Sequence, residues 1–269
     1  RVHVSQPSLS QQISKLEDEV GGSLFIRSRD GVVLSELGKE FLPHAKAIMA
    51  EVESTEDFIY QSHGGVQGPI RIGAIPTIAP YLLPGIMKKI TSIYADARYE
   101  IIEDTTDSLI EKLRMGGIDF ALMSPPTKID EDADHRLIRK DELLLTLPRN
   151  HPLRASKSIE LKQLKTERLV LLQDAHCLSR QSEGYCKASG IKADVTIRSS
   201  QIDTLLGIVE LGLGFTFTPQ IAVDFHSHRK VIYRSLSKNP YFREIHLYWM
   251  RRRLLSTTQQ SIIKCFGQL

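Results

Sequence analysis

Residues 4–22 read VSQPSLSQQISKLEDEVGG, and this stretch decides how the chain is organised. Ser5 is a suitable helix N-cap, and Pro7 falls in the first turn, where its missing N–H is harmless. Aliphatic residues recur every three or four positions over residues 9–20, which indicates one apolar helical face. The Gly21-Gly22 pair predicts the end of this helix.

The opposite face of the predicted helix carries polar side chains and is followed by a hairpin. The residues that we expect to face nucleic acid are Gln6, Pro7, Ser8, Gln11, Gln12, Arg27 and Arg29. Glutamine pairs with adenine and serine bonds base edges or phosphates, whereas the two arginines at the hairpin tip suit the DNA backbone or minor groove. Residues 1–34 therefore predict a winged helix-turn-helix. The alternative is an ordinary polar surface helix, since residues 1–30 carry four basic and four acidic side chains.

Residues 35–63 predict a long linker helix that pairs with a second copy of the chain. Its apolar positions approach a heptad pattern, and they are Leu37, Phe41, Ala45, Ile48, Val52 and Ile59. Pro43 lies inside this pattern and should break or kink the helix there.

From residue 69 onward, strand-like and helix-like segments alternate. This alternation predicts an α/β fold of two lobes with mainly parallel sheets. We assign residues 69–143 and 245–269 to lobe I and residues 148–241 to lobe II, so that the chain crosses between the lobes twice.

Two of the three cysteines lie close together, Cys177 and Cys186, nine positions apart. A helix of that length spans about 13.5 Å, whereas disulfide-bonded Cα atoms are about 4.4–6.8 Å apart. Any disulfide across such a helix requires unwinding, so it would act as a switch. His176 and Arg180 are near enough in sequence to stabilise a thiolate at Cys177. The alternative is two inert cysteines, because free cysteine is often a small core residue.

The composition bounds the class of protein. The chain has 269 residues, 41% of them hydrophobic, and a formal net charge of +3. Three cysteines are too few for a disulfide-built scaffold, so we expect a reducing, cytoplasmic location. No apolar run approaches the length of a membrane span, and the first residues lack an export signal. We predict no cofactor and no metal site.

Residues 4–13, followed by Leu16-Glu17, Leu24-Phe25 and Arg27, resemble the recognition helix and wing of LysR-type transcriptional regulators. The remainder resembles the same family's periplasmic-binding-protein-like effector domain. The resemblance implies double-stranded promoter DNA as partner, a homo-oligomer built as a dimer of dimers, and RNA polymerase as a further partner. It also implies that residues 1–34 lack an N-terminal portion of the DNA-binding domain, in keeping with a first residue that is not Met.

The sequence His176-Cys177-Leu178, with Cys186 nine positions after Cys177, resembles the peroxide-sensing members of that family. The resemblance implies that Cys177 reacts with hydrogen peroxide and that Cys186 then forms a reversible Cys177–Cys186 disulfide. It places Thr77, Thr106 and His176 in the peroxide pocket. An arginine that closes the late strand in the family aligns here with Met250, so Arg251 is expected to replace it. Cys265 has no counterpart in the motif and is expected to be structural.

Three other functions are open at this level. One is a LysR-type regulator that binds a small metabolite anion between the lobes and has inert cysteines. Another is an enzyme of the thiol peroxidase type, although a nine-residue spacing is unlike the Cys-x-x-Cys of thiol oxidoreductases. The last is an exported solute receptor, which the DNA-binding-type helix and the missing export signal disfavour. A transcription regulator rather than an enzyme is the leading prediction.

Overall fold

The computed structural model describes most of the chain. The described residues are 5–28, 31–62, 69–126, 131–156, 159–192, 194–236, 240–251, 253 and 255–267. Within these ranges no helix is both long and apolar enough to cross a membrane.

The N-terminal part is a helix followed by a two-stranded hairpin. Helix α1 (Gln6–Val20) ends at Gly21, whose φ of 80° is the left-handed conformation that glycine adopts without strain. Strands β1 (Phe25–Ser28) and β2 (Gly31–Leu34) pair antiparallel. None of the side chains of α1 is buried in the described part of the chain.

The linker is one helix, α2 (Glu36–Ser62). Ser35 caps it, because its Oγ accepts a hydrogen bond from the backbone N–H of Gly38 at 2.9 Å. The helix continues through Pro43, so the prediction that proline breaks it is wrong.

Lobe I follows as alternating strands and helices. Its elements are β3 (Ile70–Ala74), α3 (Ala79–Ile93), β4 (Tyr99–Glu103), α4 (Thr106–Met115), β5 (Phe120–Met123) and, from the C-terminus, α8 (Thr257–Phe266). Strand β3 is central and pairs parallel with β4 and β5. The carboxyl ends of these three strands therefore meet along one edge of the sheet.

Two long strands serve both lobes, β6 (Ala133–Pro148) and β11 (Tyr241–Met250). They pair antiparallel with each other, and β11 also pairs antiparallel with β5 of lobe I. The large sheet has the order β10-β6-β11-β5-β3-β4, with β9 also on β6. The chain thus crosses twice between the lobes. Both crossing strands pair antiparallel with their neighbours, whereas the sequence predicts mainly parallel sheets.

Lobe II is built on the far half of β6. Its elements are β7 (Arg168–Leu172), α5 (Cys177–Ala188), β8 (Asp194–Ser199), α6 (Ile202–Glu210), β9 (Thr216–Pro219), α7 (Gln220–Val223) and β10 (Val231–Arg234). Strands β7 and β8 form a separate parallel pair. Each lobe has its own apolar core, and Tyr81 packs against both cores.

Candidate functional site

Cys177 and Cys186 lie on one helix, α5, with Cys177 as its first residue and His176 as the N-cap. Both thiols are free and buried, and Cys265 is also free. Since the two cysteines are nine residues apart on a regular helix, their Cα atoms are about 13.5 Å apart. No disulfide can join them while α5 is intact.

The two thiols belong to different cores. Cys177 packs in the core of lobe I, although the next residue, Leu178, and Cys186 pack in the core of lobe II. Cys177 therefore lies at the boundary between the lobes. Burial, with a smaller contribution from the charge of Glu183, raises the pKa of the Cys186 thiol to about 11. Because the thiolate is the reactive form, Cys186 is unreactive in this position.

The side chains beside Cys177 differ from the sequence expectation. Burial lowers the pKa of His176, so its imidazole is neutral at neutral pH and supplies no positive charge. Arg180 is exposed, and its guanidinium donates to the backbone oxygen of Asp174 at 3.3 Å. Positive potential also comes from the N-terminus of α5 itself, where Cys177 lies.

Arg198 on β8 holds the first half of α5 in place. Its guanidinium donates to Ser179 Oγ at 3.0 Å and to Glu183 Oε1 at 2.7 Å. It also bonds the backbone oxygen of Leu172 and pairs with Asp174. Ser179 and Glu183 both lie between the two cysteines, so these contacts stabilise the helical form of the segment.

A second cluster lies where lobe I meets the crossing strands, and its centre is Arg243. This side chain is fully buried and donates from Nε to Asp141 Oδ2, on the neighbouring strand β6, at 2.9 Å. Its other nitrogens donate to both Thr77 Oγ1 and the Thr77 carbonyl, each at 2.9 Å. Asp141 also accepts from the backbone N–H of Ile221 in lobe II at 3.0 Å. The cluster therefore ties the two lobes to the crossing strands.

Arg243, and not Arg251, is the arginine that contacts a predicted pocket residue. Arg251 is exposed in the turn after β11, where its backbone N–H bonds the carbonyl of Asp132. Met250 is buried in the core of lobe I. Eight residues of strand separate Arg243 from Arg251, which corresponds to about 26 Å. Met250 and Arg251 lie at the carboxyl end of β11, whereas Arg243 lies near its start.

Thr77 and Thr106 both follow strands at the carboxyl edge of the lobe I sheet, and both are buried. Neither caps a helix: α3 is capped at Ile78, and α4 at Thr105, whose Oγ1 accepts from Ser108 N. Among the described residues, Thr106 Oγ1 has no hydrogen-bond partner. Unpaired buried hydroxyls are uncommon, and this one remains able to bond a small polar molecule.

Five of the residues predicted to face DNA lie in the first half of α1. Gln6, Pro7, Ser8, Gln11 and Gln12 are all exposed. Arg29 lies outside the described residues, as does the side chain of Arg27, whose backbone belongs to β1. The exposed polar face is therefore available to a partner.

Comparison with known proteins accounts for both parts of this architecture. The LysR-family bacterial regulatory helix-turn-helix model matches residues 1–39, and the LysR substrate binding domain model matches residues 63–269. The chain belongs to the LysR family of bacterial transcription regulators. It is thus a DNA-binding regulator rather than an enzyme, and its two lobes are the family's effector-binding domain.

Several relatives within the LysR family are named for hydrogen peroxide. The hydrogen peroxide-inducible genes activator of Haemophilus influenzae is 31% identical over 228 residues, which are 85% of this chain and 75% of the relative. OxyR of Escherichia coli K12, a DNA-binding transcriptional dual regulator, is 32% identical over 221 residues, covering 82% of this chain and 72% of the relative.

Solved structures of OxyR proteins are also similar to this chain. A full-length OxyR variant from Pseudomonas aeruginosa matches with a TM-score of 0.78 at 27% identity, covering 99% of this chain and 85% of that one. A hydrogen-peroxide-bound OxyR mutant of Corynebacterium glutamicum matches with a TM-score of 0.69 at 28% identity, covering 98% and 83%.

Two functional candidates were missed at the level of sequence, Arg243 and Arg198. Arg243 lies between apolar Phe242 and charged Glu244, so alternation in the sequence does not show that Arg243 is on the buried face. Arg198 carries no sequence signal either, because its partners come from three other segments of the chain.

Proposed function

We propose that this LysR-family regulator senses hydrogen peroxide through a reversible disulfide between Cys177 and Cys186. The observation that carries the proposal is the placement of the two thiols on one helix, one at its N-terminus between the lobes and one buried in lobe II. The peroxide-related names of its relatives support it.

The chemistry takes two steps. The Cys177 thiolate attacks one oxygen of hydrogen peroxide, so that an S–O bond forms, the O–O bond breaks, and the leaving hydroxide takes a proton to become water. The Cys186 sulfur then attacks the sulfenic acid, forming the S–S bond and releasing the second water. Two thiols are oxidised by two electrons in total, and one peroxide is reduced.

The second step requires a change of structure. Cys186 must leave its buried position, because α5 holds it about 13.5 Å from Cys177. Leaving that position also restores the ordinary acidity of its thiol, which burial suppresses. The unwinding of α5 is therefore both a condition for the disulfide and the signal that the lobes transmit.

Thr77, Thr106, His176 and Arg243 form the peroxide pocket in this proposal. Thr106 Oγ1 has a free hydrogen-bonding capacity among the described residues. Neutral His176 can accept a proton or donate one, which suits hydroxide leaving as water. Arg251, the arginine expected from the resemblance, follows the other end of β11 and is exposed, so we propose Arg243 as the cation of the pocket.

The remaining parts of the mechanism concern DNA and assembly. We infer that Gln6, Ser8, Gln11, Gln12 and the hairpin arginines contact operator DNA in a dimer of dimers, and that oxidation changes the spacing of its reading heads. RNA polymerase is a further partner in this proposal, and the reducing cytoplasm is the compartment that resets the disulfide.

A peptide map of peroxide-treated protein tests the proposal. We expect a Cys177–Cys186 link, its loss in Cys177→Ser, and over-oxidation of Cys177 in Cys186→Ser. Cys265→Ser is the matched control and should behave as the unsubstituted chain. Three unmodified thiols, at a peroxide concentration that exhausts a control thiol, would reject peroxide sensing and favour a metabolite-responsive regulator.

A further inference from the structure

A chain of polar contacts joins the two lobes on the side of Tyr81. Tyr81 lies in the first turn of α3, in lobe I, and its hydroxyl is 3.0 Å from Nε2 of His226 in lobe II. The ring of Phe225 packs edge-on against Tyr81 with centroids 5.2 Å apart. Burial raises the pKa of Tyr81 to about 12, so the phenol keeps its proton and can donate it.

The lobe II side of this contact is held in place. Nδ1 of His226 lies 3.3 Å from Oδ1 of Asp203 on α6, an ion-pair distance that lacks hydrogen-bond alignment. Asp203 is fixed by two hydrogen bonds from Arg229, at 2.6 and 3.1 Å. Since a carboxylate only accepts, the tautomer with its proton on Nδ1 fits best, and Nε2 then accepts from Tyr81.

Tyr81 is also coupled to the candidate pocket. It lies four residues after Thr77, which precedes α3 and is bonded twice by Arg243. Cys177 belongs to lobe II by chain but packs in the core of lobe I. The position of Cys177 beside that core therefore depends on how lobe II sits against lobe I.

We propose that Tyr81 and His226 form an interlobe latch that keeps Cys177 seated against lobe I. Tyr81 and His226 are positioning residues, since they act on Cys177 through the arrangement of the lobes. The effect on peroxide chemistry rests on the proposed function, whereas the seating of Cys177 does not.

The contact survives protonation of His226, because Nε2 then donates to the phenol oxygen of Tyr81, which can accept as well as donate. The charged groups around His226 are Asp203 on α6 and His228 and Arg229 on the following turn, while Arg243 and Tyr233 face Tyr81. Burial is the main cause that lowers the pKa of His226; His228 and Arg229 lower it further, whereas Asp203 raises it. The imidazole is therefore neutral at neutral pH, where Nε2 accepts from Tyr81.

Tyr81→Phe tests the latch, with Tyr99→Phe as the matched control. Tyr99 also donates its hydroxyl to one acceptor, the carbonyl of Tyr94 at 3.1 Å, but within lobe I. In Tyr81→Phe the alkylation of Cys177 by iodoacetamide should become faster, because the thiol leaves its seat. Its oxidation by hydrogen peroxide should become slower by about fivefold, the factor for one ordinary hydrogen bond. Tyr99→Phe should change neither rate.

His226→Gln separates the latch from a general loss of packing. The glutamine amide oxygen still accepts from Tyr81 but does not titrate, so both rates should match the unsubstituted chain at neutral pH. His226→Ala removes the acceptor and should change both rates in the same direction as Tyr81→Phe. Equal effects of His226→Ala and His226→Gln, or of Tyr81→Phe and Tyr99→Phe, would overturn the latch.

Failure of the proposed function gives a different result. Cys177 would then resist peroxide in every variant, while iodoacetamide would still distinguish Tyr81→Phe from Tyr99→Phe.

Discussion

The stability of the fold depends strongly on Arg243. Among the described residues, its buried charge is balanced by the carboxylate of Asp141. Both Arg243 and Asp141 are fully buried. Removing one member of such a pair leaves the other charged and unpaired, which costs about 3–5 kcal/mol. We therefore expect Arg243→Ala to lower the free energy of unfolding by about that amount in urea titrations.

The control for this prediction is Arg251→Ala. Arg251 is exposed in a turn, and such substitutions usually change stability by at most about 0.5 kcal/mol. If the two substitutions destabilised the protein equally, Arg243 would not be the central cation of the site. Asp141→Asn combined with Arg243→Gln should recover part of the loss, since no unpaired charge then remains.

Asp104 gives a prediction about acid stability near the start of α4. Hydrogen bonds from Lys112 and Ser108 lower its pKa from 3.8 to about 2. Because the folded pKa lies below the unfolded one, the stabilisation is complete above pH 3.8 and is lost as the pH falls toward 2. Asp104→Asn should therefore destabilise the protein at neutral pH and flatten this part of the stability profile, measured by thermal unfolding. A profile with an unchanged acid slope would contradict the assignment.

At the scale of elements, the sequence predicts the helices and strands whose positions are set by apolar residues. The alternation of strands and helices, the linker helix and the two crossings all follow from apolar periodicity. The predicted lobe boundaries lie at residues 143 and 245, whereas β6 begins at Ala133 and β11 at Tyr241. The first parts of β6 and β11, which the sequence does not predict as strand, are rich in charge because one side of these strands faces solvent. Examples are His135-Arg136 and Arg139-Lys140. Asp141 and Arg243 lie in these parts, so the sequence does not predict their pairing either.

Helix α5 is the element whose stability should set the ease of disulfide formation. Arg198→Ala removes the hydrogen bonds to Ser179 and Glu183, and each is worth about 1–3 kcal/mol with a charged donor. We expect faster hydrogen exchange over residues 177–188 and a larger disulfide fraction in a glutathione titration.

Arg180→Ala is the matched control for the helix. Arg180 lies on α5 itself, but it is exposed, and its guanidinium donates to the backbone oxygen of Asp174 at 3.3 Å. It should change exchange in α5 much less than Arg198→Ala does. A disulfide fraction that is unaffected by Arg198→Ala would show that unwinding of α5 does not limit the switch.

At the scale of the whole molecule, the described part of lobe II contacts lobe I at several places. They include the crossing strands with Arg243, the Tyr81–His226 contact, and both Cys177 and Ile221 in the lobe I core. A change in α5 therefore alters one of several supports of a single interface. In the proposed mechanism, oxidation of Cys177 therefore changes the relative position of the lobes. Neither core has to unfold, because each lobe has its own apolar core.

The linker helix supplies the last prediction, which concerns assembly. Val52 and Ile59 are about half exposed, at 46% and 52%, and lie two turns apart on the predicted seam of α2. A single chain leaves these side chains in water, and pairing with a second copy would bury them. The double variant Val52→Glu/Ile59→Glu should sediment as a smaller species than the unsubstituted chain, because four carboxylates would face one another in the paired helices. Leu211→Glu, at a site 75% exposed on lobe II, is the control and should leave the sedimentation unchanged. An unsubstituted chain that sediments as a monomer at all concentrations would refute self-association, and with it a two-headed reading of DNA.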